Sequence, residues 1–248
     1  MNQPLVAIIV LNWRKPTETL ACLTSLSHIT YPNARIIVVD NGSGDDSVPL
    51  IHQHAPELEV LKTGANLGYA GGNNVGVRYA LDHGADAVLI LNNDILVEPG
   101  FLEPLLDAAL PPAAPAIVTA AVCEMARRDV IWALGAEINW RDGSPVRLHS
   151  GEPYAIWQGV PPFLVGYAAG SAMLAPRSIW ETVGLIDESY FLYYEEADWC
   201  MQARRGGFPV LAVPDLVQQE QDGSLRVIDW KTGNGVAGRL DTYARQLA

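Results

Sequence analysis

Cysteine is scarce in this chain: three in 248 residues, Cys22, Cys123 and Cys200, far apart and without a C-x-x-C pair. An odd, scattered set excludes a disulfide framework and a cysteine zinc site, and leaves reduced core thiols as the reading. Basic residues are also few, 16 Lys and Arg against 28 Asp and Glu, for a net charge of −12. That sign excludes nucleic acid or an anionic membrane surface held by broad charge. No apolar segment approaches the ~20 residues that span a bilayer. The first residues, Met1-Asn2-Gln3-Pro4, bring no basic region, apolar stretch and cleavage site. These absences point to the cytoplasm, with at most peripheral contact at the inner face of a membrane. Histidine clusters are missing too: His28, His52, His54, His83 and His149 fall in no common motif. His52-x-His54 does not share a helix face and reads as surface. What is plentiful is apolar surface, 49% of residues, enough for a large core and against wholesale disorder.

The apolar residues come in short runs. Leu5 to Leu11, Arg35 to Val39, Leu58 to Leu61 and Ala87 to Leu91 read as strands, the first and last covered on both faces because nothing polar interrupts them. Between them, Leu20, Leu23 and Leu26 form one face of a helix from Pro16. Asp45-Asp46-Ser47 can cap a second helix, and Gly71 to His83 reads as a third. Strand and helix alternate as in βαβ units, which predicts an α/β fold with a parallel sheet. Residues 111–165, rich in Pro, Trp and Gly, read as irregular segments plus a hairpin.

Three strands end in polar residues: Asn12, Asp40, and Asn92 to Asp94. In open α/β sheets, ligands sit outside the carboxyl ends of the strands. Asp94 there can hold a divalent cation, or can cap the turn before Pro99-Gly100. Asp40 can accept from a nucleobase imino N–H with Asn12 sharing the pocket, or can cap the turn through Asn41-Gly42. Gly68, Gly71 and Gly72 allow close backbone approach to a ligand or a packing turn, with Asn73 or Asn74 beside them.

Four stretches, "VDNGSGDDS" (39–47), "NLGYAGGNNVG" (66–76), "LNNDILVEPGFL" (91–102) and "DESYFLYYEEADWCMQARRGGFPVLAVP" (187–214), together resemble the signatures of family 2 glycosyltransferases, most like the rhamnosyltransferase-type branch. The resemblance runs over about residues 4–215. It implies a GT-A fold and inverting transfer of a hexose or deoxyhexose from a nucleotide-diphosphate sugar to a glycan or lipid-linked glycan, as in cell-surface polysaccharide biosynthesis. It places Asn12, Asp40, Asn66, Gly68, Gly72, Asn73, Asn93 and Asp94 around the donor, with Asp94 on Mg²⁺ or Mn²⁺. Asn92-Asn93-Asp94 matches the family's D-x-D-type motif with its first carboxylate replaced by an amide. Such a cation needs only one or two carboxylates plus diphosphate oxygens.

The acids Glu195, Glu196 and Asp198 lie within four residues at an expected helix start, where exposed carboxylates suit the helix dipole without any catalytic role. The stretch also resembles the family's E-D-x-D segment, which places the catalytic base at Glu196, with Glu195 beside it. A glutamate thus stands where an aspartate is usual. Nearby like charges raise one carboxyl pKa, which suits a base. Tyr194, Asp198 and Trp199 fall on the acceptor side; these aromatics, with Tyr190, Phe191 and Tyr193, can stack on a sugar or pack in the core.

The resemblance breaks after "VLAVPD". A histidine that joins the metal site in the family is missing, the chain reading Leu216-Val217-Gln218-Gln219-Glu220 instead. The division expected is a transferase domain over 1–216 and an atypical tail over 217–248. Residues 222–248 resemble a fragment of a RecB-like PD-(D/E)-x-K nuclease core, with Asp229 and Lys231 on a strand and Tyr243 and Gln246 on a helix. The alternative reading of the whole is a nucleotide-sugar-binding remnant without turnover.

Overall fold

A computed structural model describes residues 3–111 and 114–219. In chain order the elements are β1 (Val6–Asn12), α1 (Pro16–Leu26), β2 (Ala34–Asp40), α2 (Ser47–His54), β3 (Glu59–Lys62), α3 (Gly68–Asp82), β4 (Ala87–Asn92), β5 (Ile95–Val97) and α4 (Leu102–Ala109). Then follow β6 (Ile117–Glu124), β7 (Ile131–Ala133), β8 (Ala136–Asn139), β9 (Ser144–Arg147), β10 (Phe163–Leu164), β11 (Ala172–Pro176), α5 (Arg177–Val183), α6 (Glu195–Arg205) and β12 (Val210–Gln219).

The main sheet runs β10-β12-β6-β11-β4-β1-β2-β3, with β5 added on β12 and β7 on β6. Its β3-β2-β1-β4 half is parallel, β11 is antiparallel to both β4 and β6, and β6 and β12 are parallel to each other. Both faces are covered, and β1 shows how. Ala7, Ile9 and Leu11 point into one core with Val77, Trp180 and Trp199, from α3, α5 and α6. Val6, Ile8 and Val10 point into the other with Cys22, Leu23, Ile51 and Leu105, from α1, α2 and α4. Period-2 alternation with both sides apolar is why the sequence reads as uninterrupted runs. All three cysteines are buried within these cores and none is in a disulfide. Among the described residues no helix is long and apolar enough to cross a membrane.

Two expectations change. The segment 111–165 is not merely irregular: it supplies β6, whose eight residues form a central strand between β11 and β12. The expected hairpin is β8–β9. The division at 216/217 falls inside β12, because Val217, Gln218 and Gln219 pair with both β6 and β5. The nuclease-like stretch 222–248, with Asp229, Lys231, Tyr243 and Gln246, lies outside the described residues.

Candidate active site

β1, β2 and β4 are neighbours, so their ends bring Asn12, Asp40 and Asn92 side by side at one sheet edge: Asn12 is in register with Asp40, and Leu11 with Asn92. Asp40, only 6% exposed, accepts from Asn12 Nδ2 at 2.9 Å and from Ser43 N at 3.2 Å. Ser43 Oγ donates to it at 2.5 Å. Asn12 is wholly buried, and its second amide hydrogen goes to Ser43 Oγ while its Oδ1 accepts from Thr19 Oγ. Both ends of the Asn12 amide are thus engaged, by Asp40 and Ser43 on one side and Thr19 on the other. Arg14, unforeseen from sequence, is held here by Ser43, through its backbone N to Oγ and its Nε to the carbonyl, both at 3.0 Å.

The Gly-rich stretch forms the start of α3, and its glycines serve packing rather than open space. Gly68 has φ +74°, and a Cβ there would overlap the Phe191 carbonyl oxygen. A Cβ on Gly72 would stand 2.6 Å from Leu11 Cδ1, so Gly72 lets α3 lie on the sheet. Asn66 Oδ1 accepts from Asn41 Nδ2 and Gly68 N, closing the turn into α3. Asn73, fully buried, donates to the Tyr69 carbonyl and leaves its Oδ1 without a hydrogen-bond partner. Asn66, Gly68, Gly72 and Asn73 thus close the turn into α3 and set how the helix packs.

Asn93 and Asp94 form the turn between β4 and β5, both half-buried, and Asn93 Nδ2 donates to Thr19 Oγ at 2.9 Å. No group of three or more His, Cys, Asp or Glu able to hold a metal occurs among the described residues. The donor set nevertheless fits Mg²⁺ or Mn²⁺. A single carboxylate at a strand end serves a hard cation that draws its remaining oxygens from a diphosphate and water.

The acids lie at the same edge. The Gly170-Ser171 turn leads into β11, where Ser171 O accepts from Asn92 N at 3.0 Å. Glu196 packs against that turn, its Cδ 3.5 Å from where a Cβ on Gly170 would stand. Tyr69 donates to the Gly170 carbonyl at 2.5 Å. Burial first, then the charges of Glu196, Glu195 and Asp94, hold the Tyr69 hydroxyl well above its ordinary value, so one phenol senses all three carboxylates. Glu195 is 3% exposed, and its Oε2 has no hydrogen-bond partner. Burial and then the Glu196 charge push its carboxyl well up. Half-buried Glu196 is pushed up to about 7, by burial. Burial and the Glu196 charge also raise the hydroxyls of Tyr167 and Tyr194, with Asp142 acting on Tyr194 as well.

On the expected acceptor side, Trp199 is corrected: it is 1% exposed, stacked on Trp180 at 4.0 Å between centroids, with its Nε1 donating to Gly184 O. It is core. Tyr194 is buried at the N-cap of α6 in left-handed backbone (φ 69°), and half-buried Asp198 accepts from Gln202 within the helix. Tyr69, Tyr167 and Gly170 were not singled out from sequence. Tyr69 had a signal, being the one aromatic inside "NLGYAGGNNVG"; the other two had none.

A mostly parallel sheet with polar strand ends, a carboxylate at the β4–β5 turn and an acid helix beside it define the GT-A class. Two solved structures share that fold. GalNAc-T7 with UDP, GalNAc and Mn²⁺ superposes with a TM-score of 0.69 at 14% identity, over 88% of this chain and 44% of that one. The mannosyltransferase PcManGT from Pyrobaculum calidifontis, with GDP-Man and Mn²⁺, gives 0.64 at 15%, over 92% and 59%. The profile of Glycosyl transferase family 2 matches residues 6–170, and the chain belongs to that family. Among named relatives, the low-salt glycan biosynthesis hexosyltransferase Agl10 of Haloferax volcanii is 27% identical over 212 residues, covering 81% of this chain and 62% of the relative. The N-acetylglucosaminyl-diphospho-decaprenol L-rhamnosyltransferase of Mycobacterium tuberculosis is 29% identical over 224 residues, 77% of this chain and 68% of the relative. The chain thus spans about two thirds of the length of these curated relatives.

Proposed function

We propose that this chain transfers a hexose or deoxyhexose from a nucleoside diphosphate sugar to a hydroxyl of a glycan or lipid-linked glycan, with inversion. Family membership supports glycosyl transfer, and the names of the hexosyl and rhamnosyl relatives support the sugar class. The decaprenol-linked acceptor in one relative's name supports a lipid-linked acceptor.

The observation that carries the reading is Glu196, a carboxyl raised to about 7 and grouped around Tyr69 with Asp94. An ordinary glutamate is too weak a base at neutral pH; one tuned near 7 accepts a proton readily and is still ionised often enough to act. In the proposed step the acceptor oxygen attacks the anomeric carbon as its proton passes to the Glu196 carboxylate. The bond from that carbon to the diphosphate oxygen breaks on the opposite face, and the diphosphate leaves with the electron pair. Asp40 holds the nucleobase edge. Asp94 would hold the Mg²⁺ or Mn²⁺, whose chemistry there is to neutralise charge on the departing diphosphate. Burial and the Glu196 charge favour the protonated form of Glu195, which lessens the negative charge beside the base.

The test is turnover of Glu196→Gln against wild type, with donor affinity measured by titration in Mn²⁺. The expected loss is ~10²–10⁴-fold in rate, the usual worth of a positioned base, with donor affinity unchanged. Full rate in the variant sinks the assignment. Donor binding by a wild type that turns over no acceptor would favour the binding remnant instead.

A further inference from the structure

Tyr69, in the first turn of α3, is tied down at three of its polar atoms. Its N–H, one of the donors that a helix start leaves without an intrahelical partner, goes to the Phe191 carbonyl at 2.8 Å. Its own carbonyl accepts from Asn73 Nδ2 at 3.0 Å. Its hydroxyl donates to the Gly170 carbonyl at 2.5 Å. The ring packs against the core beneath the sheet edge, a place that a phenylalanine would fill as well. Only the hydroxyl reaches the Gly170 turn.

These bonds join two pieces of chain that meet at Glu196. One is the segment that leads into α6. Asn74 of α3 holds its start, accepting from Ile186 N at 3.1 Å and donating to Ile186 O at 2.7 Å and to Glu188 Oε1 at 3.0 Å. Tyr69 N holds it further on, at Phe191. The other piece is the turn into β11. A Cβ on Gly170 would stand 3.0 Å from the Tyr69 hydroxyl oxygen and 3.5 Å from both Cγ and Cδ of Glu196, so phenol and carboxyl flank one point of that turn. Ser171, the next residue, accepts from the N–H of Asn92, which ends β4 two residues before Asp94. One side chain thus couples the acid helix to the strand end that carries Asp94.

We propose that Tyr69 is a positioning residue for the transfer step: its hydroxyl clamps the Gly170 turn, and the turn fixes where the Glu196 carboxylate stands relative to the end of β4. The inference rests on the transferase reading above, with Glu196 as base and the diphosphate near Asp94. In-line attack needs the acceptor oxygen, the anomeric carbon and the leaving oxygen on one line, so base and diphosphate site must keep their separation. A single neutral hydrogen bond contributes modestly to folding, but a misplacement of about 1 Å at a reacting centre can cost on the order of 10²-fold in rate. The hydroxyl therefore matters more to turnover than to stability.

The test compares Tyr69→Phe with wild type, as full chains in Mn²⁺. Release of nucleoside diphosphate is followed from UDP-glucose, GDP-mannose and dTDP-rhamnose, with methyl glycosides of N-acetylglucosamine and glucose as acceptors. The turnover rate is expected to fall about ten- to hundredfold, while the Kd of the matching nucleotide stays within about twofold. The groups that face Glu196 are Tyr69 from α3, Tyr167 ahead of the Gly170 turn, and Glu195, Tyr194 and Cys200 around α6. Because a loosened turn admits water and relieves the burial that raises Glu196, the acid limb of the rate–pH profile is expected to move down from about 7 toward the ordinary 4.5. Tyr79→Phe, which removes a hydroxyl further along α3, is expected to keep both rate and profile. Gly170→Ala, whose methyl would crowd both the phenol and Glu196, is expected to lower turnover and spare nucleotide affinity in the same way. Full rate with an unmoved profile in Tyr69→Phe, or full rate in Gly170→Ala, overturns the proposal. So does a parallel loss of rate and nucleotide affinity, which would make Tyr69 a support of the fold alone. A wild type that releases nucleotide from none of the donors counts against the transferase reading itself, and the positioning role falls with it.

Discussion

Asn12 and Asp40 face each other in register at the ends of β1 and β2, and the amide of one donates to the carboxylate of the other at 2.9 Å. The bond gives Asp40 two jobs, holding the Asn12–Ser43 cluster and presenting its remaining acceptor capacity at the sheet edge. Asp40→Ala removes both. Stranding buried donors on Asn12 and Ser43 is expected to cost about 1–3 kcal/mol of unfolding free energy, with nucleotide affinity falling by a similar amount. Denaturant titration and nucleotide calorimetry on one sample separate the two jobs. Lost stability with an unchanged nucleotide Kd would leave Asp40 as a turn-holding residue.

Asp94→Asn leaves the β4–β5 turn its shape and removes the charge proposed to hold a cation there. Donor binding is expected to lose its Mn²⁺ dependence while the unfolding free energy stays within about 0.5 kcal/mol, as for a substitution outside the core. Titration of donor with and without Mn²⁺ checks it. Undiminished metal dependence would remove Asp94 from the metal role.

The strand ends were legible because each apolar run stops abruptly at a polar residue, and register then fixes their neighbours. β6 was not legible. Its "IVTAAVCE" is alanine-rich and sits among Pro, Trp and Gly, while its partners β11 and β12 lie some fifty and ninety residues onward, so nothing local marks it. The Gly-rich stretch was read toward a ligand, but a glycine needed by a neighbouring carbonyl and one needed by a nucleotide look alike in sequence. Trp199 shows the same limit from the other side. Trp199 stands among acids in sequence, and only its stacking on Trp180 of α5 puts it in the core.

The acid pair makes stability depend on pH with a definite sign. In the native state the Glu196 carboxyl is pushed up to about 7 and that of Glu195 well up, by burial and by the Glu196 charge, against an ordinary value of 4.5. Above 4.5 the unfolded chain therefore binds fewer protons than the folded one, and stability falls as pH rises toward the native values. Without nucleotide or metal, the melting temperature is expected to drop as pH rises from about 4.5 through about 7. Glu195→Gln, which has no proton to lose, is expected to flatten much of that drop and to melt above wild type at the higher pH. A wild-type curve as flat as the variant's would mean that the pair titrates like solvated acids.

Gly68 and Phe191 join the Gly-rich helix to the segment that leads into the acids: Tyr69 N donates to the Phe191 carbonyl at 2.8 Å. Gly68→Ala meets two costs, left-handed backbone at φ +74° and overlap of the new methyl with that carbonyl. Gly84→Ala meets only the first, since φ is +84° and nothing lies within 4 Å of its Cβ position. The backbone cost at each is about 1–3 kcal/mol, so the difference between the two variants in denaturant titration isolates the overlap. Relief of that overlap displaces Phe191 and with it the approach to Tyr194, Glu195 and Glu196. Gly68→Ala is therefore expected to be the less stable variant and to lose turnover well beyond any loss of nucleotide affinity. Gly84→Ala is expected to keep its rate. Equal stability costs with equal rates would mean that the Phe191 segment yields freely, and that Gly68 does not set the position of the acid helix.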